Sequence, residues 1–214
     1  MTLELQEVKI DLPDAELVAP ISMTIAPGDI ATVMGPSGCG KSTLLSAISG
    51  NLSQVFTLSG NVQLDGQSVL DIPMEKRRIG MLFQDDLLFP HLDIKGNLGF
   101  AIPAGVSRVR RREVINDALE RAGLEGFADR DPATLSGGQR ARVSLLRSLL
   151  AEPKALLLDE PFSKLDQKLK DQIRAFVFEQ IIQMNIPALL VTHDPDDCPG
   201  GMMINLENNR IEPC

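Results

Sequence analysis

Gly35-Pro-Ser-Gly-Cys-Gly-Lys41-Ser42-Thr43 decides the reading of this chain. A glycine, four residues, Gly-Lys and then Ser or Thr is the pattern of a loop that holds phosphate. The apolar, strand-like run Ile30–Met34 enters it, and a helix-prone run from Ser42 to Ile48 leaves it. Gly35, Gly38 and Gly40 carry no Cβ, so the backbone through Pro36, Ser37 and Cys39 can curl and aim N–H groups at phosphate oxygens. The positive end of the following helix dipole falls at the same place. Lys41 brings a mobile charge to the β- and γ-phosphates, and the Ser42 hydroxyl, with Thr43 next to it, can ligate Mg²⁺. The expectation is a nucleoside triphosphate bound at residues 35–43.

With 214 residues, the chain is long enough for one sizeable α/β core with an appended subdomain and short for two full domains. Its net charge of −8 and pI near 4.8 argue against nucleic acid as a partner, which needs a basic face. No apolar run approaches the length that spans a bilayer. The acidic, alternating start Met1-Thr-Leu-Glu-Leu-Gln-Glu7 does not read as a signal peptide. Cys39, Cys198 and Cys214 show no ligand spacing and read as reduced cytosolic thiols, and Cys214 is misplaced for prenylation. A cytoplasmic protein that meets the membrane only through a partner is expected.

Leu3, Leu5, Val8 and Ile10 nearly alternate with polar residues, as do Ile21, Met23 and Ile25 before the turn at Pro27-Gly28. Val62 and Leu64 alternate up to Asp65-Gly66, a hairpin turn signal. These segments predict a small antiparallel sheet. Four short apolar runs then each end on a residue with chemical capability. Ile30–Met34 ends on the glycine loop, Ile79–Phe83 on Gln84, Ala155–Leu158 on Asp159-Glu160, and Ala188–Thr192 on His193. Continuous apolar runs suit parallel strands buried on both faces, and ligands bind beyond the carboxyl ends of such strands. Between Gln84 and Asp159 the periodicity of Val114, Ile115, Ala118, Leu119 and Ala122 is helical, and Leu135-Ser-Gly-Gly-Gln139 opens a helix through Leu150. Arg108, Arg110, Arg111 and Arg112 read as a solvated helix face, the alternative being a face toward anionic lipid head groups.

With Leu135-Ser136-Gly137-Gly138-Gln139-Arg140 and Leu156-Leu-Leu-Asp159-Glu160-Pro161 in hand, the chain resembles the nucleotide-binding subunit of an ABC transporter over essentially its whole length. The resemblance implies a P-loop NTPase (RecA-like) α/β core with a parallel sheet and an N-terminal antiparallel β-subdomain. It makes residues 1–214 one ABC ATPase domain. Core and β-subdomain occupy approximately 1–85 and 151–214, and a helical subdomain approximately 86–150. ATP and Mg²⁺ are the implied ligands. Ser136, Gly137, Gly138 and Gln139 would face the γ-phosphate held by a second copy of the chain. Asp159 would hold Mg²⁺ with Ser42, and Glu160 would activate the attacking water. Gln84 would be a further metal ligand, His193 a γ-phosphate contact, and Asp166 part of the loop that touches the partner copy.

Two positions depart from the family pattern. Lys164 stands where a small or neutral residue is usual. Leu12 stands where an aromatic ring normally stacks on adenine, and the chain has no Tyr or Trp, so weaker base selectivity is expected. The loop, the segment Leu88-Phe-Pro-His91 and the short tail most resemble bacterial importer ATPases, and among these the short thiamine-importer and YnjD-type subunits. No C-terminal regulatory domain is expected. The implied partners are transmembrane permease subunits, a substrate-binding protein and a second copy, on the inner face of the cytoplasmic membrane. Leu87, Leu88, Phe89 and Leu92 are expected to form the groove that receives the permease, with His91 lining it. An exporter, a lipid- or lipoprotein-release ATPase, or an iron–sulfur assembly ATPase would share the catalytic motifs. A DNA-repair machine would need a long coiled coil between Gln84 and Leu135, which lie only 51 residues apart.

Overall fold

The computed structural model describes residues 1–207 and the backbone of residues 210–213; Cys214 lies outside the described residues. Strand β1 (Leu3–Leu12) buries Leu3, Leu5, Val8 and Ile10 and pairs antiparallel with β2 (Ala15–Ile25). The chain then enters β3 (Ile30–Met34), the glycine loop and helix α1 (Lys41–Ser49). β4 (Thr57–Leu64) returns to the other edge of β1, and Asp65 and Gly66, both at positive φ, turn it into β5 (Gln67–Ser68). β6 (Ile79–Leu82) leads into three helices, α2 (Ile94–Ala101), α3 (Arg108–Arg121) and α4 (Gly137–Leu150). β7 (Ala155–Asp159), α5 (Gln167–Met184), β8 (Ala188–Val191), β9 (Met202–Asn205) and β10 (Arg210–Pro213) complete the order.

Two sheets result, the antiparallel one ordered β2-β1-β4-β5 and the larger one β10-β9-β3-β8-β7-β6. Strands β9, β3, β8, β7 and β6 run parallel, and only β10 is antiparallel to its neighbour. The four apolar runs are therefore neighbours whose carboxyl ends share one edge. β6 stops at Leu82, one residue earlier than its apolar run, because Phe83 turns outward and is 44% exposed.

Three apolar cores hold this arrangement. The first lies between the two sheets around α1, with Leu5, Ile10, Val33, Leu44, Ile48 and Leu189 fully buried. The second packs α4 and α5 on the other face of the parallel sheet around Phe162. The third joins α2, α3 and α4 through Leu98, Leu119 and Val143. Helix α5 has no apolar stripe wide enough to read easily: it buries Lys170, Ile173, Val177 and Ile181 at spacings of three and four.

Of the four residues expected to form an apolar groove, only Leu87 is exposed. Leu88 packs on the helical core, Leu92 is half-buried, and half-buried Phe89 meets Phe100 edge-on at 5.0 Å. The hydrophobic effect has drawn most of the segment inward. Cys39 is free, whereas Cys198 is disulfide-bonded, so the expectation of reduced thiols fails at Cys198. Among the described residues no helix is long and apolar enough to cross a membrane.

Candidate active site

The loop between β3 and α1 takes its shape from local sterics. Gly40, the N-cap of α1, has φ +96°, and a Cβ there would lie 2.6 Å from Val18 Cγ2 of β2. Only glycine fits both constraints. Lys41 follows, 6% exposed, and its Nζ donates to the carbonyls of Gly35 at 2.8 Å and Pro36 at 2.9 Å. Ser42 donates from Oγ to Asp159 Oδ1 at 3.0 Å, tying the start of α1 to the end of β7.

Asp159 and Glu160 have different surroundings. Burial pushes the Asp159 carboxyl above the usual range; the Ser42 hydroxyl pulls it back, the Glu160 charge adds to the rise, and Lys41 opposes it. Glu160 sits at φ +44°, a conformation costly for a non-glycine residue, held by its N–H donating to Val191 O at 2.9 Å. Its Oε2 lies 3.2 Å from His193 Nδ1, and its Oε1 lies 4.0 Å from Lys41 Nζ. Gln84 Nε2 donates to Ser163 Oγ at 3.0 Å, and that hydroxyl donates to the Glu160 carbonyl at 2.9 Å. Ser163 thus links two strand ends, a role invisible in the sequence because the pair is 79 residues apart.

A cleft of about 280 Å³ is lined by Ser37, Gly38, Gly40, Lys41, Ser42 and Thr43 of the loop and by Gln84, Asp159 and Glu160. Seven polar side chains and two glycines make a cleft suited to a highly charged ligand. Among the described residues no group of three or more His, Cys, Asp or Glu is placed to hold a metal ion. A hydroxyl and a carboxylate 3.0 Å apart, beside a second carboxylate, are nonetheless the hard oxygen donors that Mg²⁺ takes alongside phosphate and water.

The other sequence candidates lie elsewhere. Ser136 caps α4 in a reciprocal box: Gln139 N–H donates to Ser136 Oγ at 3.4 Å, and Ser136 N–H donates to Gln139 Oε1 at 2.9 Å. Gly138 is buried there, and a Cβ on it would fall 2.5 Å from Leu169 Cδ1 of α5. Asp166 caps α5, accepting from Leu169 N–H at 3.1 Å. Leu12 ends β1 half-buried, opposite Ala15. None of Leu12, Ser136, Gly137, Gly138, Gln139 and Asp166 lines the cleft of their own chain. Lys164, the unusual charge, pairs with Asp85, so it ties the Ser163–Asp166 loop to the residue after Gln84.

A parallel sheet with a phosphate loop at its carboxyl edge, two adjacent acids on the next strand but one, and a serine-capped Ser-Gly-Gly helix start outside the cleft define a P-loop nucleotide hydrolase. The ABC transporter family profile matches residues 18–163, and the chain belongs to that family. Its ATP-binding members are ATPases, and this chain is an ATP-binding subunit of that kind. The chain is 52% identical over 194 residues to the uncharacterized ABC transporter ATP-binding protein YnjD of Escherichia coli (strain K12), covering 91% of this chain and 89% of that protein. It is 37% identical over 215 residues to the sulfate/thiosulfate import ATP-binding protein CysA of Gloeobacter violaceus, covering 99% of this chain and 62% of that one. With the Fe(3+) ions import ATP-binding protein FbpC 1 of Rhizobium meliloti it shares 39% over 178 residues, 83% of this chain and 50% of that one. The chain thus spans half to under two thirds of those two importers, though most of YnjD.

Proposed function

We propose that the chain is the ATP-hydrolysing subunit of a bacterial importer and works as a closed pair with a second copy. What supports this is the division of its motifs. Lys41, Ser42, Asp159 and Glu160 line one cleft, with His193 3.2 Å from Glu160 beside it, while the Ser136–Gly138 helix start and Asp166 lie outside it. Free N–H groups at a helix start favour an anion. In a two-fold arrangement they would complete the γ-phosphate contacts of the other copy. The similarity to named importers, and no feature of the cleft, carries the direction of transport.

Within the cleft, Glu160 orients and deprotonates the attacking water, and the His193 imidazole fixes its carboxylate. Lys41 and the loop N–H groups neutralise charge on the phosphates. Ser42, Asp159 and Gln84 are the residues that would hold Mg²⁺, which when bound supplies charge neutralisation between the phosphates.

The helices of residues 86–150 would form the subdomain that moves with the membrane partner. For permease docking we propose a groove of about 460 Å³, in place of the Leu87–Leu92 segment, in which apolar Met74, Ile79, Met81 and Phe83 alternate with polar residues such as Glu75 and Arg78. Met74 and Phe83 are 51% and 44% exposed, and Phe83 adjoins Gln84. A substrate-binding protein would serve the same permease from the far side of the membrane, leaving this chain peripheral on the cytoplasmic face.

Glu160→Gln tests the paired site. The variant should bind ATP normally, hydrolyse it about a hundredfold more slowly or worse, and accumulate as a dimer on size exclusion with ATP and Mg²⁺ that ADP releases. A Glu160→Gln chain that stays monomeric at high concentration with saturating ATP would refute the shared-site mechanism.

A further inference from the structure

Behind His193 lies a charged cluster that no motif announces. Lys170, one turn inside α5, is only 7% exposed at its side chain yet carries an ammonium. Its Nζ pairs with Asp194 and lies 2.8 Å from Oδ1 of Asp197, whose side chain is 3% exposed. Arg174, a turn further along α5, approaches the same Asp197 oxygen at 3.6 Å, and its guanidinium also donates to the Asp196 carbonyl. Asp197 Oδ2 accepts from Thr192 Oγ1 at 2.8 Å, and Thr192 Oγ1 accepts from the Asp194 N–H at 3.1 Å. The residues on both sides of His193 are thus tied to each other and, through Asp194 and Asp197, to Lys170.

Buried ion pairs seldom add net stability relative to apolar packing of the same volume. Two buried or half-buried carboxylates of one short turn, gathered against two cations of α5, therefore call for a reason other than stability. Burial by itself would lower the Lys170 pKa, but the hydrogen bonds to Asp194 and Asp197 outweigh it and hold the ammonium charged. The His193 side chain is 56% exposed and has no packed core to fix it; its place 3.2 Å from Glu160 depends on the backbone of residues 192–194. The same first turn of α5 carries Asp166 as its cap, with Lys170 N–H donating to the Asp166 carbonyl at 2.8 Å.

We infer that Lys170 is a positioning residue: through Asp194 and Asp197 it sets His193 against Glu160 and ties it rigidly to the Ser163–Asp166 loop. This rests on the reading of His193 as a working part of the hydrolytic site. A displacement of that loop then moves the imidazole with it, so closure of two copies and alignment of the cleft are one event.

A double-mutant cycle on the full chain tests the inference, with kcat and KM for ATP measured for each protein. Lys170→Met should lower kcat about tenfold while KM for ATP changes by less than about threefold, since the phosphate loop is untouched. On a His193→Ala background the same substitution should cost less than about a further twofold, because the group it positions is gone. Lys170→Arg, which keeps the charge and reach, should recover most of the activity. If Lys170→Met fails to fold, Asp194→Asn, which removes one partner at a half-exposed position, replaces it in the same cycle with the same expected non-additivity. Equal losses on both backgrounds, or no loss of kcat in the single variant, would overturn the inference while leaving the reading of His193 intact. A His193→Ala chain with undiminished kcat would instead overturn that reading, and the positioning role with it.

Discussion

Replacing Arg77 by methionine should destabilise the ligand-free chain by about 3 kcal/mol. Arg77 is 8% exposed and pairs with no carboxylate among the described residues; its guanidinium serves four backbone carbonyls. Nη1 donates to Ala47 O at 3.1 Å and Ile48 O at 2.8 Å, in the last turn of α1 where intrahelical donors run out. Nε donates to Ile72 O at 2.8 Å and Nη2 to Leu70 O at 2.9 Å. Methionine fills a similar volume and donates nothing, so four acceptors are stranded at about 1 kcal/mol each. Burial lowers the Arg77 pKa, so its charge carries a desolvation cost that the substitution returns, which brings about 4 down to about 3 kcal/mol. Arg77→Lys, with one compact ammonium for four spread acceptors, should lose about half as much. The neighbouring Arg78 is half-exposed and makes one backbone bond, to Glu152 O at 2.6 Å, so Arg78→Met should stay within about 0.5 kcal/mol of the parent. Urea unfolding followed by far-ultraviolet circular dichroism reads all three, since the chain has no Trp or Tyr to report by fluorescence. An Arg77→Met chain within about 1 kcal/mol of the parent, at unchanged m value, would refute the bookkeeping.

Asp159→Asn should raise the melting temperature of the nucleotide-free chain at neutral pH while abolishing Mg²⁺-dependent hydrolysis. Burial raises the folded pKa of Asp159, so its stability contribution is full below the ordinary carboxylate range and is lost as pH rises through the raised value. The advantage of asparagine should accordingly fade on acidification, and a variant that melts lower than the parent at neutral pH would contradict this sign. Base selectivity should be weak: without an aromatic ring at Leu12 about 1 kcal/mol of stacking is forgone, so GTP should compete with ATP within about tenfold. Parallel titrations would show it, and a hundredfold preference for ATP would defeat it.

The local parts of this molecule were legible because short-range physics writes them. The glycine loop needs positive φ at Gly40, the capping box needs Ser136 and Gln139 three apart, and the parallel strands need unbroken apolar runs. Each constraint is met within a few residues, so each leaves a local pattern. The runs ending on Gln84 and Asp159 reach the cleft, and the one ending on His193 comes beside Glu160, because parallel strands bring their carboxyl ends together.

What the sequence could not fix depends on where side chains go once distant segments pack. The strand order β3-β8-β7-β6 is set by helix crossovers and by which apolar faces meet. Apolar content marked Leu87–Leu92 as a docking surface, but the helical core claims Leu88 and leaves Phe83 and Met74 exposed on another groove. Nothing in their own neighbourhoods marks Lys170, Arg77 or Ser163, since each has partners that reach it only after folding. A charge buried far along the chain is stable only where its counter-charges or carbonyls arrive, and only the tertiary structure decides that.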